Sequence, residues 1–306
     1  MLSHLSKSVF AIFAVLIALT VPAAATSLSI SAVTGPTSSD AATALLNVIV
    51  GAGVQVTGTP TYKGNLIGQA GIFSGGADTI GFANGIILTS GSATDIAGRG
   101  PKGIESLGGQ QVGTNYDSWS HNLLPLSGDV DLNTLVPGKS TFDANVIQFT
   151  FTVTEPGSLH VKYVFASEEY INYVGREFND VFGFFLDGVN IAKLNNAIVS
   201  VNTINPSANS AFYRNNVPNT NGIPDLNLNI KPDGLTTVLT TTAVDLAVGQ
   251  HTMKLAIADV QDHILDSAVF IEAASFSTAE QPIPEPSTII LVGIGLVAFG
   301  LKHRTR

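Results

Sequence analysis

The stretch VIQFTFTVTEPGSLHVKYVFAS, residues 146–167, decides the fold class of this chain. Apolar residues alternate with polar ones along 147–153 and again along 159–163. Alternation with a period of two puts one face of a β-strand in a core and the other face in water. The residues EPGS, 155–158, separate the two runs and favour a turn. The stretch therefore predicts two half-buried strands joined by a short turn.

The second half of the chain continues the β signal. The run DVFGFFL, residues 180–186, is apolar on both faces, which is typical of a strand inside a layered fold. Later apolar runs at 235–246, 251–260 and 266–277 supply further strands. No helical pattern interrupts this half, so parallel βαβ units are excluded there. The prediction is an all-β chain, folded as a β-sandwich of the jelly-roll kind.

One short helix is predicted ahead of the strands, in DAATALLNVIVG, residues 40–51. Its large apolar residues recur at helical spacing, so we expect the helix to pack on a sheet. Asp40 is expected to be its N-cap, and Gly51 its C-terminal stop.

The first residues predict a secretory signal peptide. An apolar run at 9–21 follows a lysine, and the alanines at 23–25 fit the small-residue cleavage pattern. Residues 1–25 are therefore expected to direct the chain through the general export pathway and to be removed by signal peptidase.

A second apolar run, residues 288–301, lies near the other end and is followed by the basic end 302–306. A helix of that length spans about 21 Å, which is shorter than a hydrocarbon core of about 30 Å. Basic residues behind such a helix hold that end in the cytoplasm. We therefore expect an apolar helix that tethers the chain to the inner membrane as a thin, marginal span.

Composition excludes several classes of function. The chain has 306 residues, of which 45% are hydrophobic and 12% are charged, as in a globular protein. Residues 26–286 keep all 23 acids but only 10 of the 14 bases, which gives a net charge of −13. That excess of negative charge argues against nucleic acids and anionic lipid surfaces as partners. Since the chain has no cysteine, disulfides, thiolate nucleophiles and cysteine-based zinc sites are excluded.

Common catalytic motifs are absent. The sequence lacks G-x-S-x-G, H-E-x-x-H and the glycine-rich loops that bind phosphates or dinucleotides, so we expect no enzyme activity. Two alternatives stay open. Paired carboxylates could serve a glycosidase. Tyr116 and Trp119, in the predicted polar loop 92–122, could stack on a sugar in a carbohydrate-binding module.

Two groups of oxygen-bearing side chains lie at predicted strand ends and are candidate calcium ligands. They are Glu168, Glu169, Asn179 and Asp180 in the first group, and Asp259, Asp262 and Asp266 in the second. Strand ends of an antiparallel sandwich gather at its two rims, so the groups could meet there. Several carboxylates at one rim suit Ca²⁺, which takes about six to eight oxygen ligands. The alternative is that these side chains never meet and accept backbone N–H bonds in loops.

A third acidic group, Asp129, Asp131 and Asn133, resembles the start of an EF-hand loop. Thr134 stands where that loop requires glycine, and Ser140 stands where it requires a bidentate acid. An EF-hand is therefore excluded.

Several of these segments together resemble the choice-of-anchor L domain of bacterial surface proteins. The most specific block is SEEYINYVGREFNDVFGFF, residues 167–185. The accompanying segments are GIILTSG (85–91), SGDVDL (127–132), TFDANVIQFTF (141–151), DGLTTVLT (233–240) and KLAIADVQDHILDSAVFIEAASF (254–276). The resemblance runs from about residue 41 to residue 276. It implies no established activity and no catalytic residues that could be transferred to this chain.

The tail PEPSTIILVGIGLVAFGLKHRTR, residues 284–306, resembles a PEP-CTERM sorting signal with the motif Pro284, Glu285 and Pro286. The resemblance implies cleavage by an exosortase-type membrane enzyme, and a Gram-negative host that makes exopolysaccharide. The chain then consists of a signal peptide, a domain at 26–280 and a sorting segment at 281–306. We expect a secreted protein, tethered transiently in the inner membrane, that ends at the cell surface or in the extracellular matrix. Its expected role there is structural or adhesive, next to exopolysaccharide.

Overall fold

A computed structural model describes residues 27–65, 68–98, 103–107, 110–114, 126–218 and 222–279. The strands are β1 (Ser29–Ala32), β2 (Val54–Lys63), β3 (Ala70–Ser74), β4 (Gly85–Thr89), β5 (Gly103–Leu107), β6 (Gln110–Thr114), β7 (Thr141–Val153), β8 (Gly157–Ser167), β9 (Val181–Leu186), β10 (Val189–Asn190), β11 (Lys193–Leu194), β12 (Ala197–Ile198), β13 (Tyr213–Asn215), β14 (Gly234–Thr236), β15 (Leu239–Leu246), β16 (Gly249–Val260) and β17 (Ser267–Glu272). The helices are α1 (Ser38–Ile49) and α2 (Val130–Leu135), with short 3₁₀ turns at Thr94–Ile96 and Ser210–Phe212.

Most of the strands belong to two sheets. Sheet I has the order β1-β3-β4-β17-β8-β14-β13, and β15 also pairs with β8. Sheet II has the order β10-β9-β16-β7-β2. Each pair of neighbouring strands within these two sheets is antiparallel. The all-β prediction is confirmed.

The two alternating strands that decide the fold class do not pair with each other. β7 lies in sheet II and β8 lies in sheet I, so the bend at 154–156 carries the chain from one sheet to the other. Phe151 of β7 and Val161 of β8 are nevertheless both fully buried in one core. The alternating pattern thus predicts burial correctly, but it carries no information about the partner strand.

Aromatic rings fill the space between the sheets. Phe182 on β9 lies 5.1 Å from Tyr163 and 5.5 Å from Phe165, both on β8, between ring centroids. Phe276, just after β17, lies 5.2 Å from Phe149 and from Phe151 on β7. Burying each such side chain stabilises the fold by about 1.5–3 kcal/mol. Side chains of both sheets therefore pack into one shared core.

Sheet II is also covered on its outer face, which explains the apolar character of residues 180–186. Phe182 and Phe184 point into the shared core. Val181 and Phe185 pack instead with Leu132 of α2 in a second apolar cluster. A strand covered on both sides needs apolar residues at every position.

The predicted helix α1 is present, but it begins earlier than its sequence suggested. Thr37, not Asp40, is the N-cap, since the Thr37 Oγ1 accepts a hydrogen bond from the Asp40 N–H at 3.2 Å. Asp40 lies in the first turn, where a negative charge is favoured by the helix dipole. Leu45 and Ile49 are fully buried against the sheets. α2 is a second helix that the sequence did not predict.

The turn after β9 holds a titratable pair. Asp187 Oδ2 lies 2.7 Å from His251 Nδ1, and Asp187 Oδ1 accepts the Thr252 N–H at 2.8 Å. Partial burial acts to lower the pKa of His251, but hydrogen bonds to Asp187 and to the Ala247 carbonyl outweigh it and raise that pKa. Burial acts to raise the pKa of Asp187, but its hydrogen bonds with His251 and Thr252 lower it.

We expect the His251 imidazole to titrate above the usual histidine pKa of about 6.5, and this shift to disappear in Asp187→Asn. A raised folded-state pKa contributes stability fully below the unfolded pKa, and that contribution is lost as the pH rises through the folded value. Because Asp187 is half exposed, screening keeps the effect on the free energy of unfolding below about 1 kcal/mol. An NMR titration of the imidazole signals measures the shift. Identical His251 titrations in the two proteins would contradict the pairing.

Candidate functional site

One end of the two sheets collects the ends of four strands. In sheet I, β8 ends at Ser167, directly opposite Ser267, the first residue of β17. In sheet II, β9 begins at Val181, opposite Ala258 near the end of β16. The Ser267 hydroxyl donates a hydrogen bond to Asp180 Oδ2 at 2.7 Å. This bond joins the two sheets, because Asp180 immediately precedes β9.

Five carboxyl groups meet at this end, and we call them the acidic rim: Glu169, Asp180, Asp259, Asp262 and Asp266. The charge of Glu169 interacts with those of Asp180 and Asp262. Asp180 interacts with Asp262 and Asp266. Asp259 interacts with Asp180 and Asp266. The structure thus brings together members of both groups of candidate ligands.

The acidic rim is mostly withdrawn from water. Asp259 is 0% exposed, and Glu169, Asp180 and Asp266 are each 1% exposed, whereas Asp262 is half-buried. Burial is the main cause that raises the pKa of Glu169, Asp180 and Asp259, and repulsion from neighbouring carboxylates adds to it. For Asp180, hydrogen bonds from a serine hydroxyl and a backbone N–H oppose the rise without cancelling it.

Asp259 differs from ordinary buried acids, because neither of its carboxyl oxygens accepts a hydrogen bond from the described residues. The nearby Ser90 hydroxyl favours the charged form of Asp259. That hydroxyl, however, donates its hydrogen bond to the Ser267 carbonyl at 3.4 Å. Oε2 of Glu169 also has no hydrogen-bond partner within the described segments. Each buried polar atom left without a partner costs about 1–3 kcal/mol.

Another group of acids in this chain has its own cation. Asp129 and Asp131 each place a carboxyl oxygen 2.6 Å from Lys254 Nζ. Asp129 also caps the N-terminus of α2. The segment that resembles an EF-hand loop therefore has a lysine where such a loop has calcium. In the part of the chain that the structure describes, no lysine or arginine forms an ion pair with Asp180 or Asp259.

Of the other two predicted ligands, Glu168 is bonded to the acidic rim through its backbone, and Asn179 contacts a neighbouring loop through its side chain. The Glu168 N–H donates to the Asp266 carbonyl at 3.2 Å. Asn179 Oδ1 accepts the Asn202 N–H at 2.8 Å. For Asn179 the structure matches the alternative in which the side chain braces a loop.

Sequence reasoning missed an acid beside the acidic rim. Asp143 in β7 helps to raise the pKa of Asp259. Its Oδ2 lies 2.5 Å from His263 Nδ1, and its Oδ1 accepts the Leu126 N–H at 2.7 Å. Its φ of 50° is unusual for a residue other than glycine, and the pairing of β7 with β16 shifts register here. In the sequence, the only indication of this site was a single aspartate beside the apolar residues of a predicted strand.

Two glycines of the segment GIILTSG permit close approaches in sheet I, Gly85 at the end of β4 far from the acidic rim and Gly91 just after the near end. A Cβ atom on Gly85 would lie 2.0 Å from the carbonyl oxygen of Ile271. A Cβ atom on Gly91 would lie 1.7 Å from Asp266 Oδ2. Gly91 therefore lies directly against the acidic rim, and the space that its missing side chain leaves is filled by a carboxylate.

Several predicted features lie outside the described residues, namely Tyr116, Trp119, the sorting motif 284–286 and the apolar runs 9–21 and 288–301. Among the described residues, no helix has the length and apolar character needed to cross a membrane. Within the same segments, no three histidine or acidic side chains are arranged to hold a metal ion as they stand.

The structure is therefore an all-β domain in which most of the carboxyl groups of the acidic rim are buried. The choice-of-anchor L domain family matches residues 33–277, and the chain belongs to that family. The PEP-CTERM protein-sorting motif matches residues 282–304. Both resemblances seen in the sequence are confirmed, and the motif marks a secreted surface protein targeted to an exosortase. No curated protein and no solved structure gives a significant match.

Proposed function

We propose that this protein is a structural or adhesive component of the cell surface or extracellular matrix, associated with exopolysaccharide, and not an enzyme. The observation that carries the proposal is the order of the two family matches along the chain. The domain match ends at residue 277, and the sorting-motif match begins at residue 282. The domain is therefore the cargo that an exosortase releases on the outer side of the membrane.

The positions of the carboxyl groups support a non-enzymatic role. A glycosidase needs two carboxyl groups that face an open cleft, about 5–10 Å apart. Asp180 and Asp259 are 1% and 0% exposed, so a polysaccharide cannot reach them. Two surface grooves, of about 460 Å³ beside α1 and about 380 Å³ beside β10, have no acid among their lining residues.

The architecture also favours a passive role. We infer that the two facing sheets form a β-sandwich, which gives a rigid body with loops at both ends. The segment 92–122, predicted as a loop but found to contain β5 and β6, carries Tyr116 and Trp119 and is the part that we expect to contact sugars. A net charge of −13 on residues 26–286 keeps such a body soluble outside the cell.

The test of delivery is fractionation of a Gram-negative host that has an exosortase. The wild-type chain is expected at the cell surface or in the matrix. A variant with Pro284→Ala, Glu285→Ala and Pro286→Ala is expected to accumulate uncleaved in the inner membrane, with at least a tenfold lower surface signal. Ser287→Ala, just outside the motif, is the control and should be sorted normally. Equal surface signals from the wild type and the triple variant would refute this route.

The same fractionation in a strain that cannot make exopolysaccharide tests the matrix role. We expect the protein to move from the matrix to the medium in that strain. Unchanged retention without polysaccharide would contradict the association. Release of reducing sugars from the host polysaccharide by the purified protein would contradict the non-enzymatic role.

A further inference from the structure

We propose that the acidic rim is a calcium site that ties the ends of sheets I and II together. Asp180, Asp259 and Asp266 supply its central ligands, and Glu169 and Asp262 lie at its margin. The proposal concerns the stability of the domain, so it stands or falls independently of the surface role.

The ligands come from both sheets. Asp180 precedes β9, and Asp259 lies in β16, both in sheet II, whereas Asp266 precedes β17 in sheet I. Asp180 already bridges the sheets, since its two carboxyl oxygens accept the Val260 N–H at 3.0 Å and the Ser267 hydroxyl at 2.7 Å. A cation at this point is attracted by carboxylates of both sheets, and it removes the repulsion between those carboxylates.

The environment of Asp259 is a second, independent observation that indicates a bound cation. Its side chain is 0% exposed, it interacts with the charges on both sides of the site, and neither of its oxygens accepts a hydrogen bond from the described residues. Other buried acids of this chain have a partner: Asp129 has Lys254, and Asp143 has His263. A buried carboxylate without donors or a counter-ion is strongly unfavourable, so it requires either a proton or a cation.

The donor set favours calcium over other metals. Every candidate ligand is a carboxylate oxygen, and the chain has no cysteine, so the site does not suit zinc or copper. His263, the histidine nearest in sequence, is engaged by Asp143. Ca²⁺ accepts irregular arrangements of about six to eight oxygens, whereas Mg²⁺ requires near-ideal octahedral geometry.

Binding requires the carboxyl groups to turn toward a common centre. As they stand, no three acidic or histidine side chains in the described segments are arranged to hold a metal ion. Carboxylates that repel one another separate when no cation lies between them. No hydrogen bond holds the two oxygens of Asp259 or Oε2 of Glu169 within the described part of the chain. Rotation of the Asp259 carboxyl group therefore brings its two oxygens to a cation without breaking a hydrogen bond to the described residues, whereas Asp180 keeps its bonds to Val260 and Ser267.

The experiment uses the full chain, purified in a mild non-ionic detergent and stripped of metals with EDTA. Isothermal titration with CaCl₂ is expected to show one Ca²⁺ per chain. Thermal unfolding followed by circular dichroism is expected to show a midpoint about 5–10 °C higher when free Ca²⁺ is about 100-fold above its dissociation constant. MgCl₂ at the same concentration should give a smaller shift.

Two variants locate the effect. Asp259→Asn keeps the shape of the side chain but removes its charge, so the calcium-dependent shift should be lost while the variant still melts in EDTA near the wild-type midpoint. Asp78→Asn makes the same change at an exposed acid and should keep the full shift. Should Asp259→Asn fail to fold, Asp262→Asn at the half-buried margin should weaken calcium binding at least threefold.

The contrary results are equally definite. Equal midpoints of the wild type in EDTA and in calcium would overturn the proposal, and the acidic rim would then hold protons instead of a cation. A full calcium shift in Asp259→Asn would also overturn it, because the ion would then bind elsewhere.

Discussion

Replacing Lys254 by alanine is expected to destabilise the domain by about 3–5 kcal/mol. The ammonium group of Lys254 lies 2.6 Å from carboxyl oxygens of both Asp129 and Asp131, and Lys254 and Asp129 are only 9% and 7% exposed. Removing one partner of a buried ion pair leaves the other charge buried without compensation, which accounts for a loss of that size. The melting midpoint should fall by on the order of 10 °C. Thermal and urea unfolding measure both quantities.

Two further variants separate the ion pair from lost packing. Lys254→Met combined with Asp129→Asn should recover much of the lost stability, because no buried charge is then left alone. Lys162→Ala is the control: it breaks a 3.4 Å pair with Glu272 whose side chains are 24% and 27% exposed, and should cost less than about 1 kcal/mol. A Lys254→Ala protein as stable as the wild type would mean that water reaches Asp129 in solution.

Local sequence patterns predicted individual elements well, because burial alternates along a strand and recurs every three to four residues along a helix. The alternation at 147–153 and 159–163 predicted parts of β7 and β8, and helical spacing predicted α1. The partner of each strand was not predictable in the same way. β7 pairs with β16 and β2, and not with β8, because a period of two determines the face of a residue but not its neighbour across the sheet.

The candidate site shows the same limit. The sequence showed which acids lie at strand ends. It did not show that Asp180 and Asp266 lie close together, because these residues belong to strands of different sheets. In the sequence Lys254 is a single charged residue in the strand run 251–260, and only the fold shows that it lies between Asp129 and Asp131. Whether a group of acids has a lysine at its centre is therefore a property of the tertiary structure.

Replacing Gly91 by alanine is the prediction that probes this site without changing any ligand atom. The new methyl group would lie 1.7 Å from Asp266 Oδ2 and 2.2 Å from its Cγ, so it must displace that carboxyl group. Asp266 is 1% exposed, so a displaced carboxyl group moves within a buried environment. We expect a loss of about 1–3 kcal/mol from overpacking. The apparent affinity for calcium should fall at least tenfold. It is measured from the melting midpoints over a calcium titration.

Gly68→Ala is the matched control, because a Cβ atom there would meet no atom of the described residues within 4 Å. That variant should keep both the wild-type stability and the full calcium response. The two readouts of Gly91→Ala distinguish packing from binding. A variant that loses stability equally in EDTA and in calcium, with an unchanged calcium titration, would show that Asp266 only packs against sheet I. If Gly91→Ala loses more stability in calcium than in EDTA, Asp266 is a ligand, because displacing its carboxylate then weakens calcium binding.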